Sequence, residues 1–224
     1  MSPSPAAVRA VFFDLDGTLI DSAPDLAGSA NDMRVARGMA PLPIEFLRPM
    51  VGAGARGMLL QAFGIGPRDA AFGELKDEFL ARYEDRLTRE TRVFDTMAPI
   101  LDALDARGLP WGVVTNKVTR LAAPILESLG LAARAAVLIG GDTTPHAKPH
   151  PEPLLEAARR LRIAARDCIY VGDDHRDVQA GRAAGMPTVA AAWGYLGLGE
   201  PIHTWGADHL IDQPAELLKL LRLD

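Results

Sequence analysis

The sequence is poor in cysteine and in aromatic residues. Among 224 residues there is one cysteine, Cys168, and aromatic side chains make up 6% of the chain. A single thiol cannot form a disulfide within the chain, which excludes a small secreted fold held together by disulfides. Cys168 begins the apolar run CIYV, so we expect it to be a small buried side chain rather than a nucleophile.

Long apolar segments and basic clusters are also lacking. No apolar run approaches the ~20 residues that span a bilayer, and residues 1–10 lack the longer apolar region of a signal peptide. The 29 acidic residues outnumber the 24 basic ones, and no block of lysine and arginine locally reverses the net charge of −5. Nonspecific binding to nucleic acid requires such a basic excess. We therefore expect a cytoplasmic monomer or homodimer without a nucleic-acid or membrane partner.

Short apolar segments separated by helical patterns recur along most of the chain. Their continuous apolar character, without alternation, is typical of parallel strands that are covered on both faces. This order predicts an α/β fold with a doubly wound, Rossmann-like parallel sheet. The predicted strands are Val11–Phe13, Trp111–Val114, Ala136–Ile139, Ile169–Val171, Thr188–Ala190 and His209–Ile211. The predicted helices among them are Ala98–Arg107, Leu121–Leu129, Pro153–Leu161 and Asp177–Ala184.

The segment between Leu19 and Thr91 breaks this alternation. It contains no convincing strand, and helical patterns separated by glycine and proline loops fill it. We predict a smaller all-helical cap domain over residues 19–91, inserted after the first strand, and a catalytic core formed by residues 1–18 and 92–224. The two connections between these domains would be natural hinges. The predicted cap helices are Ala23–Arg37, Ile44–Met50, Gly57–Phe63 and Ala70–Leu87.

A glycine-rich stretch lies inside this insertion. Residues 52–57 read GAGARG and match G-x-G-x-x-G, a pattern that binds dinucleotides only when it follows a strand and opens a helix. Here it follows a helix-like run interrupted by Pro49, so a nicotinamide-dependent oxidoreductase is the weaker interpretation. We expect instead a loop that reaches the active site, where Arg56 offers a forked cation to a substrate anion.

Paired carboxylates directly follow the first predicted strand. The stretch VFFDLDGT leads from an apolar run into Asp14 and Asp16. Like charges ~4 Å apart repel by about 4 kcal/mol at an effective dielectric of ~20. Asp173 follows a later strand, and the carboxyl ends of parallel strands meet at one edge of a sheet. Clustered carboxylates need a counterion there, and Mg²⁺ is a hard cation that prefers oxygen ligands and accepts phosphate oxygens.

Further polar residues are expected at the same edge of the sheet. Thr115 and Asn116 follow the second predicted strand, and Lys148 precedes a helix that follows the third. We predict that these three residues, with Arg56, bind the substrate, since a lysine charge and hydroxyl donors stabilise a phosphoryl group during its transfer. One carboxylate after the first strand can then act as nucleophile, and the other can hold the proton for the leaving alkoxide.

Four motifs resemble those of the haloacid dehalogenase superfamily, in the same order. They are DLDGT at 14–18, VVTNK at 113–117, AKPHPEP at 147–153 and VGDDHRD at 171–177. The resemblance covers nearly the whole chain, including a helical cap between the first and second motifs. It implies a hydrolase with a Rossmann-like core and a Mg²⁺ cofactor.

The resemblance also implies a role for individual motif residues. Asp14 would form an aspartyl-phosphate, while Asp16 would act as general acid and then as base for the hydrolytic water. Thr115 would bind phosphate and Lys148 would neutralise charge. The groups that would hold Mg²⁺ are Asp14, the Asp16 carbonyl and Asp173.

Three acidic positions refine the residue roles and the reaction type that the resemblance implies. Asp177 matches the second acidic position of the last motif and would orient Lys148. Asp174 stands where the family pattern often has a small polar residue. Dehalogenases of the superfamily usually lack the second aspartate of the first motif, so the presence of Asp16 points to phosphoryl transfer.

Longer stretches resemble one group of phosphatases within the superfamily. DLDGTLIDSAPDL, the cap loop VGAGARG and the C-terminal stretch that begins WGYLGLGEP resemble the phosphoglycolate phosphatase group. A sister group that acts on N-acetylmuramic acid 6-phosphate is not separable from it on this sequence. Both substrates carry a carboxylate that Arg56 could bind. The resemblance thus implies hydrolysis of a small carboxylated phosphometabolite, with phosphoglycolate first and a sugar-phosphate mutase as the weaker alternative.

Overall fold

The computed structural model describes residues 8–223. Residues 1–7, which belong to the stretch in which we expect no signal peptide, and Asp224 lie outside this range. The strands are β1 (Ala10–Phe13), β2 (Ile20–Asp21), β3 (Arg92–Val93), β4 (Trp111–Val114), β5 (Leu138–Ile139), β6 (Cys168–Gly172), β7 (Thr188–Ala191) and β8 (His209–Ile211). The α-helices are α1 (Ala23–Ala36), α2 (Ile44–Leu47), α3 (Gly54–Phe63), α4 (Phe72–Arg86), α5 (Ala98–Ala106), α6 (Thr119–Ser128), α7 (Glu152–Leu161), α8 (His175–Ala183) and α9 (Ala215–Leu221).

One parallel sheet with two buried faces forms the centre of the molecule. Its strand order is β5-β4-β1-β6-β7-β8. Side chains alternate along β1, so Val11 and Phe13 pack on one face and Ala10 and Phe12 on the other. Helices α5, α6 and α9 cover the first face, and α7 and α8 cover the second. The predicted doubly wound sheet is confirmed, with β5 two residues shorter than expected.

The strand order reverses at β1. The chain passes from β1 to β4 on one side and on to β5, and it returns to β6 on the other side of β1. In open α/β sheets, ligands bind in the crevice that such a reversal opens beyond the carboxyl ends of the strands. Asp14, Thr115 and Asp173 each follow one of these three central strands, so the topology places all three at that crevice.

The segment from residue 19 to residue 91 is helical with one exception. Helices α1 to α4 contact one another, but β2 lies within the segment and pairs antiparallel with β3. The expectation of no strand between Leu19 and Thr91 was therefore wrong, because a two-residue strand is too short to show periodicity. This pair brings the two crossings between the helical segment and the sheet side by side. The domain boundaries at 18/19 and 91/92 stay a prediction.

The glycine-rich stretch forms more helix than the sequence predicts. Helix α2 ends at Leu47, and Arg48–Ala53 form a 3₁₀-helix with Pro49 in its first turn, where a missing N–H costs no hydrogen bond. Helix α3 then begins at Gly54, three residues earlier than expected. None of the described helices is long and apolar enough to cross a membrane.

Candidate active site

Three acidic side chains converge at the crevice beyond β1 and β6. Asp14 directly follows β1, and its backbone N–H donates to the Val171 carbonyl at 2.9 Å, which ties the end of β1 to β6. Asp173 follows β6 and is 2% exposed. Carboxylate oxygens of Asp14, Asp173 and Asp177 lie within 4.8 Å of one another. The predicted approach of Asp14 to Asp173 is therefore found in the structure.

Asp173 sits in a close-fitting backbone cradle. Its Oδ1 accepts from the Thr18 hydroxyl at 2.6 Å, and its Oδ2 accepts from the Tyr195 N–H at 2.8 Å. Gly17 has φ +88°, and a Cβ there would lie 2.2 Å from Asp173 Oδ2; a Cβ on Gly194 would lie 2.1 Å from Asp173 Cβ. Only glycine fits both positions. The glycine and threonine of DLDGT thus hold a carboxylate that follows another strand.

Lys148 is locked among the same carboxylates. Its side chain is 2% exposed, and Nζ lies 2.9 Å from Asp14 Oδ1. Nζ donates hydrogen bonds to the Val114 carbonyl at 3.0 Å, Tyr170 Oη at 2.7 Å and Asp177 Oδ1 at 2.7 Å. Burial lowers the pKa of Lys148, but the charges of Asp14 and Asp177 outweigh it and raise the pKa above its ordinary value. The ammonium is therefore charged and fixed in place.

The donor set fits a hard divalent cation. Three carboxylates surround one buried ammonium, and burial together with the charges of Asp14 and Asp177 raises the pKa of Asp173 well above its ordinary value. A dication among these oxygens would offset that repulsion, and Mg²⁺ prefers such ligands. Asp14 and Asp173 are the side chains that would hold it, since Asp177 already engages Lys148 through Oδ1 and the Asp174 N–H through Oδ2. Asp177 thus orients Lys148, as the resemblance implies.

The Asp16 carboxylate contacts a lysine, Lys117, to which sequence analysis gave no role. Its carboxylate accepts from the Ser22 hydroxyl at 2.5 Å and from Lys117 Nζ at 2.7 and 2.9 Å. The Lys117 side chain is 8% exposed, and Nζ lies 4.9 Å from the centroid of the Tyr83 ring on α4. Burial lowers the pKa of Lys117, but the charge of Asp16 outweighs it and raises the pKa. The feature of the sequence that could have identified Lys117 as a site residue was its position at the end of the VVTNK motif.

Thr115 and Asn116 lie, as expected, at the edge of the sheet where β1, β4 and β6 end, which we call the rim. They differ in what they contact. Thr115 is 3% exposed, and its hydroxyl accepts from the Lys117 N–H at 3.1 Å. The Asn116 amide donates to the Lys148 carbonyl and accepts from the Lys148 N–H, both at 2.9 Å. Asn116 therefore braces the chain that carries Lys148, and this contact occupies both polar atoms of its side chain.

A cavity of about 480 Å³ lies above the rim. Asp14, Asp16, Thr115, Asn116, Lys117, Lys148 and Asp173 line one side of it. The opposite wall is largely apolar and comes from the helical segment, from α6 and from the residue before α6: Leu26, Val51, Phe79, Leu80, Tyr83, Leu121 and Val118. The prediction that the inserted helices cover the rim residues agrees with this arrangement.

The glycine-rich loop reaches the cavity, but Arg56 does not. Residues 52–55 line the cavity, whereas Arg56 is exposed and is not among the lining residues. Because α3 begins at Gly54, one further step turns the side chain by about 100° from Ala55 to Arg56. Arg176 of α8 holds the loop instead, donating to the Gly52 carbonyl at 2.6 Å while it binds Asp174 through both oxygens. The arrangement therefore does not support substrate binding by Arg56.

Comparison with known proteins agrees with this geometry. The haloacid dehalogenase-like hydrolase family matches residues 8–185. A phosphoglycolate phosphatase of Xanthomonas campestris is 52% identical over 211 residues, which cover 93% of this chain and 94% of that protein. An N-acetylmuramic acid 6-phosphate phosphatase of Pseudomonas putida is 41% identical over 214 residues, 96% of each chain.

A solved structure extends the match to three dimensions. The crystal structure of a predicted phosphoglycolate phosphatase from Haemophilus somnus superposes with a TM-score of 0.83 at 29% identity, over 96% of this chain and 98% of that one. The four motifs, the reversal of strand order at β1 and the acidic cluster all lie in the matched part of the chain. The protein therefore belongs to the haloacid dehalogenase-like hydrolase family.

Proposed function

We propose that the protein is a Mg²⁺-dependent phosphomonoesterase that hydrolyses a small carboxylated phosphometabolite, with 2-phosphoglycolate as the leading substrate. The observation that carries this proposal is the acidic cluster of Asp14, Asp173 and Asp177, with the Lys148 ammonium fixed between Asp14 and Asp177 at the side of a covered cavity. The 52% identity with a phosphoglycolate phosphatase supports the choice of substrate.

In the proposed reaction, Asp14 is the nucleophile and Asp16 is the general acid and base. The Asp14 carboxylate attacks phosphorus, the bond from phosphorus to the ester oxygen breaks, and Asp16 donates a proton to the leaving alkoxide. Water then attacks the aspartyl-phosphate after Asp16 removes its proton, which releases inorganic phosphate and restores Asp14. Mg²⁺, bound by Asp14, the Asp16 carbonyl and Asp173, would supply charge neutralisation for the phosphoryl oxygens.

The remaining rim residues hold the transferring group. The Lys148 ammonium lies 2.9 Å from Asp14, so it is placed to neutralise charge on the nucleophile and on the phosphoryl group. Thr115, which lines the same side of the cavity, offers its hydroxyl to a phosphate oxygen. The apolar wall formed by Phe79 and Leu80 excludes water from the reacting atoms, which strengthens each of these electrostatic contacts.

N-acetylmuramic acid 6-phosphate is the second candidate substrate. The 41% identity with a phosphatase named for this substrate extends over 96% of the chain. A cavity of about 480 Å³ with an apolar wall also offers more room than a two-carbon acid fills.

A substrate panel tests both candidates. Purified protein with Mg²⁺ is assayed for phosphate release from 2-phosphoglycolate, N-acetylmuramic acid 6-phosphate and glucose 6-phosphate, and kcat/KM is compared. We expect 2-phosphoglycolate to give the highest kcat/KM. Isomerised phosphosugar without free phosphate would identify a mutase instead. Activity that persists without any divalent cation would contradict the proposed use of Mg²⁺.

A further inference from the structure

We infer that Lys117 and Tyr83 form a binding site for the substrate's carboxylate, and that this site selects esters whose carboxylate is one carbon from the ester oxygen. The inference rests on the proposed phosphatase function and deepens it, because it names a substrate class: 2-phosphooxy acids such as 2-phosphoglycolate.

The first observation is an unpartnered hydroxyl. Tyr83 is 1% exposed and lines the cavity, yet its Oη has no hydrogen-bond partner among the described residues. Burial raises the pKa of Tyr83 to about 12, so the hydroxyl keeps its proton at neutral pH and is available as a donor. A buried donor without an acceptor is destabilising, and a ligand with an acceptor at this point would remove that cost.

The second observation is the location of the Lys117 ammonium. It lies between the sheet and α4, bound to both oxygens of Asp16 and 4.9 Å from the Tyr83 ring centroid. An ammonium and a phenol hydroxyl that lie close together where the two sides of the cavity meet are complementary to a carboxylate, because a charged donor gives the stronger hydrogen bond and a neutral donor adds direction.

The other cations that line the cavity are less suitable. Lys148 contacts Asp14 and Asp177 rather than Asp16, and Arg176 is committed to Asp174 and to the Gly52 carbonyl. Arg120 is 52% exposed and paired with a glutamate, and Lys76 is exposed on α4. Among the cations that line the described cavity, Lys117 alone combines burial with a position beside Asp16.

The reaction fixes which carboxylates can reach this site. In the proposed mechanism Asp16 contacts the ester oxygen of the leaving group. A carboxylate attached to the next carbon then lies beside the ammonium that is itself 2.7 Å from Asp16. The carboxylate of N-acetylmuramic acid 6-phosphate is separated from its phosphate by the sugar ring, so it cannot occupy the same place. The site therefore favours 2-phosphoglycolate over the larger candidate.

Binding of non-hydrolysable ligands tests the site without relying on catalysis. The ligands are 3-phosphonopropionate, in which a methylene replaces the ester oxygen of 2-phosphoglycolate, and propylphosphonate, in which a methyl replaces the carboxylate. Calorimetric titration in the presence of Mg²⁺ gives the ratio of the two affinities. We expect Lys117→Met to reduce this ratio by about 10-fold or more, and Tyr83→Phe by about 3- to 10-fold. Lys117→Arg should retain most of it.

A kinetic ratio gives the matching measurement on substrates. The kcat/KM for 2-phosphoglycolate divided by that for ethyl phosphate should fall by a similar factor in Lys117→Met. This ratio cancels any effect of the substitution that is common to both esters. Ratios that equal those of the wild type in Lys117→Met and Tyr83→Phe would overturn the inference. If Lys117→Met does not fold, Lys117→Gln takes its place with the same expected result.

The two proposals fail in different ways. If wild-type protein hydrolyses the ester panel but binds 3-phosphonopropionate no better than propylphosphonate, the carboxylate site is wrong and the phosphatase proposal stands. If wild-type protein releases no phosphate from any ester, the proposed function is wrong, and the affinity ratios still decide whether Lys117 and Tyr83 bind a carboxylate.

Discussion

The rim of the sheet and the apolar wall opposite it, to which α4 contributes Phe79, Leu80 and Tyr83, enclose one cavity but are built differently. At the rim, Lys148 and Asp173 are at most 4% exposed, and contacts to fixed partners surround both. The wall offers the apolar side chains of Phe79 and Leu80 and the hydroxyl of Tyr83, which has no hydrogen-bond partner within residues 8–223. A fixed rim suits the step that all phosphate esters share. A wall with a free donor is suited to distinguishing one leaving group from another.

The largest effect is expected from the nucleophile at the rim. Asp14→Asn keeps the size of the side chain but removes the negative charge that attacks phosphorus. We expect phosphate release with saturating Mg²⁺ to fall by at least about 1000-fold. Asp95→Asn, the same change at an exposed position, should retain wild-type turnover. Turnover in Asp14→Asn within about tenfold of the wild type would contradict the nucleophilic role of the rim.

A large loss of stability is expected when the rim loses its ammonium. Lys148→Met leaves the buried Asp177 and the partly buried Asp14 without their counterion, which should lower the free energy of unfolding by about 3–5 kcal/mol. Urea denaturation in the absence of divalent cations measures this change. Lys76→Met removes an exposed cation from the wall and should change the free energy by less than about 0.5 kcal/mol. Equal losses in the two variants would remove the contrast between rim and wall.

Sequence reasoning was stronger for the rim than for the wall, for a physical reason. The rim residues Asp14, Thr115 and Asp173 each follow a buried strand. A parallel sheet brings the ends of its strands together irrespective of how individual side chains pack. The wall depends on which face a helix turns toward the cavity. Tyr83 has the pattern of an ordinary core residue in α4, and a three-residue difference in the start of α3 left Arg56 outside the cavity.

Lys117 and β2 were missed for related reasons. The contact of Lys117 with Asp16 joins residues 101 positions apart, and local spacing carries no information about it. Strand β2 has two residues and gains its regular structure from pairing with β3, which likewise lies far away in the chain. Local patterns thus predicted the elements and the strand ends, whereas contacts between the helical segment and the sheet required the folded structure.

A moderate effect is expected from pH and Mg²⁺ together. Burial and the charges of Asp14 and Asp177 raise the pKa of Asp173 well above its ordinary value of about 3.9. The folded metal-free protein then binds more protons than the unfolded chain, so its stability falls as pH rises from about 4 through the folded pKa. Mg²⁺ at about 100 times its Kd should add roughly 2.7 kcal/mol near neutral pH and less in acid.

Melting curves with Mg²⁺ and with a chelator, from about pH 5 to about pH 8, measure this gain. In Asp173→Asn, the gain in stability from Mg²⁺ should be much smaller and should no longer rise with pH. The stability of the metal-free variant should also depend less on pH. A gain from Mg²⁺ that is the same at both ends of this range would show that Asp173 does not couple the ion to the rim.

The smallest effect is expected where α4 meets α6 at the side of the cavity. Glu84 Oε2 accepts from Arg120 Nη1 at 2.6 Å, and the two side chains are 50% and 52% exposed. Water and salt screen such a pair, so Glu84→Gln should lower the free energy of unfolding by no more than about 1 kcal/mol.

Glu127→Gln makes the same charge change on an exposed residue of α6 that has no ion pair among the described contacts, so the difference between the two variants isolates the pair. A loss of several kcal/mol specific to Glu84→Gln would mean that the wall is anchored as firmly as the rim. A small loss that shrinks further in high salt would show that this contact holds the wall only weakly, in contrast to the buried contacts that hold Lys148 and Asp173 at the rim.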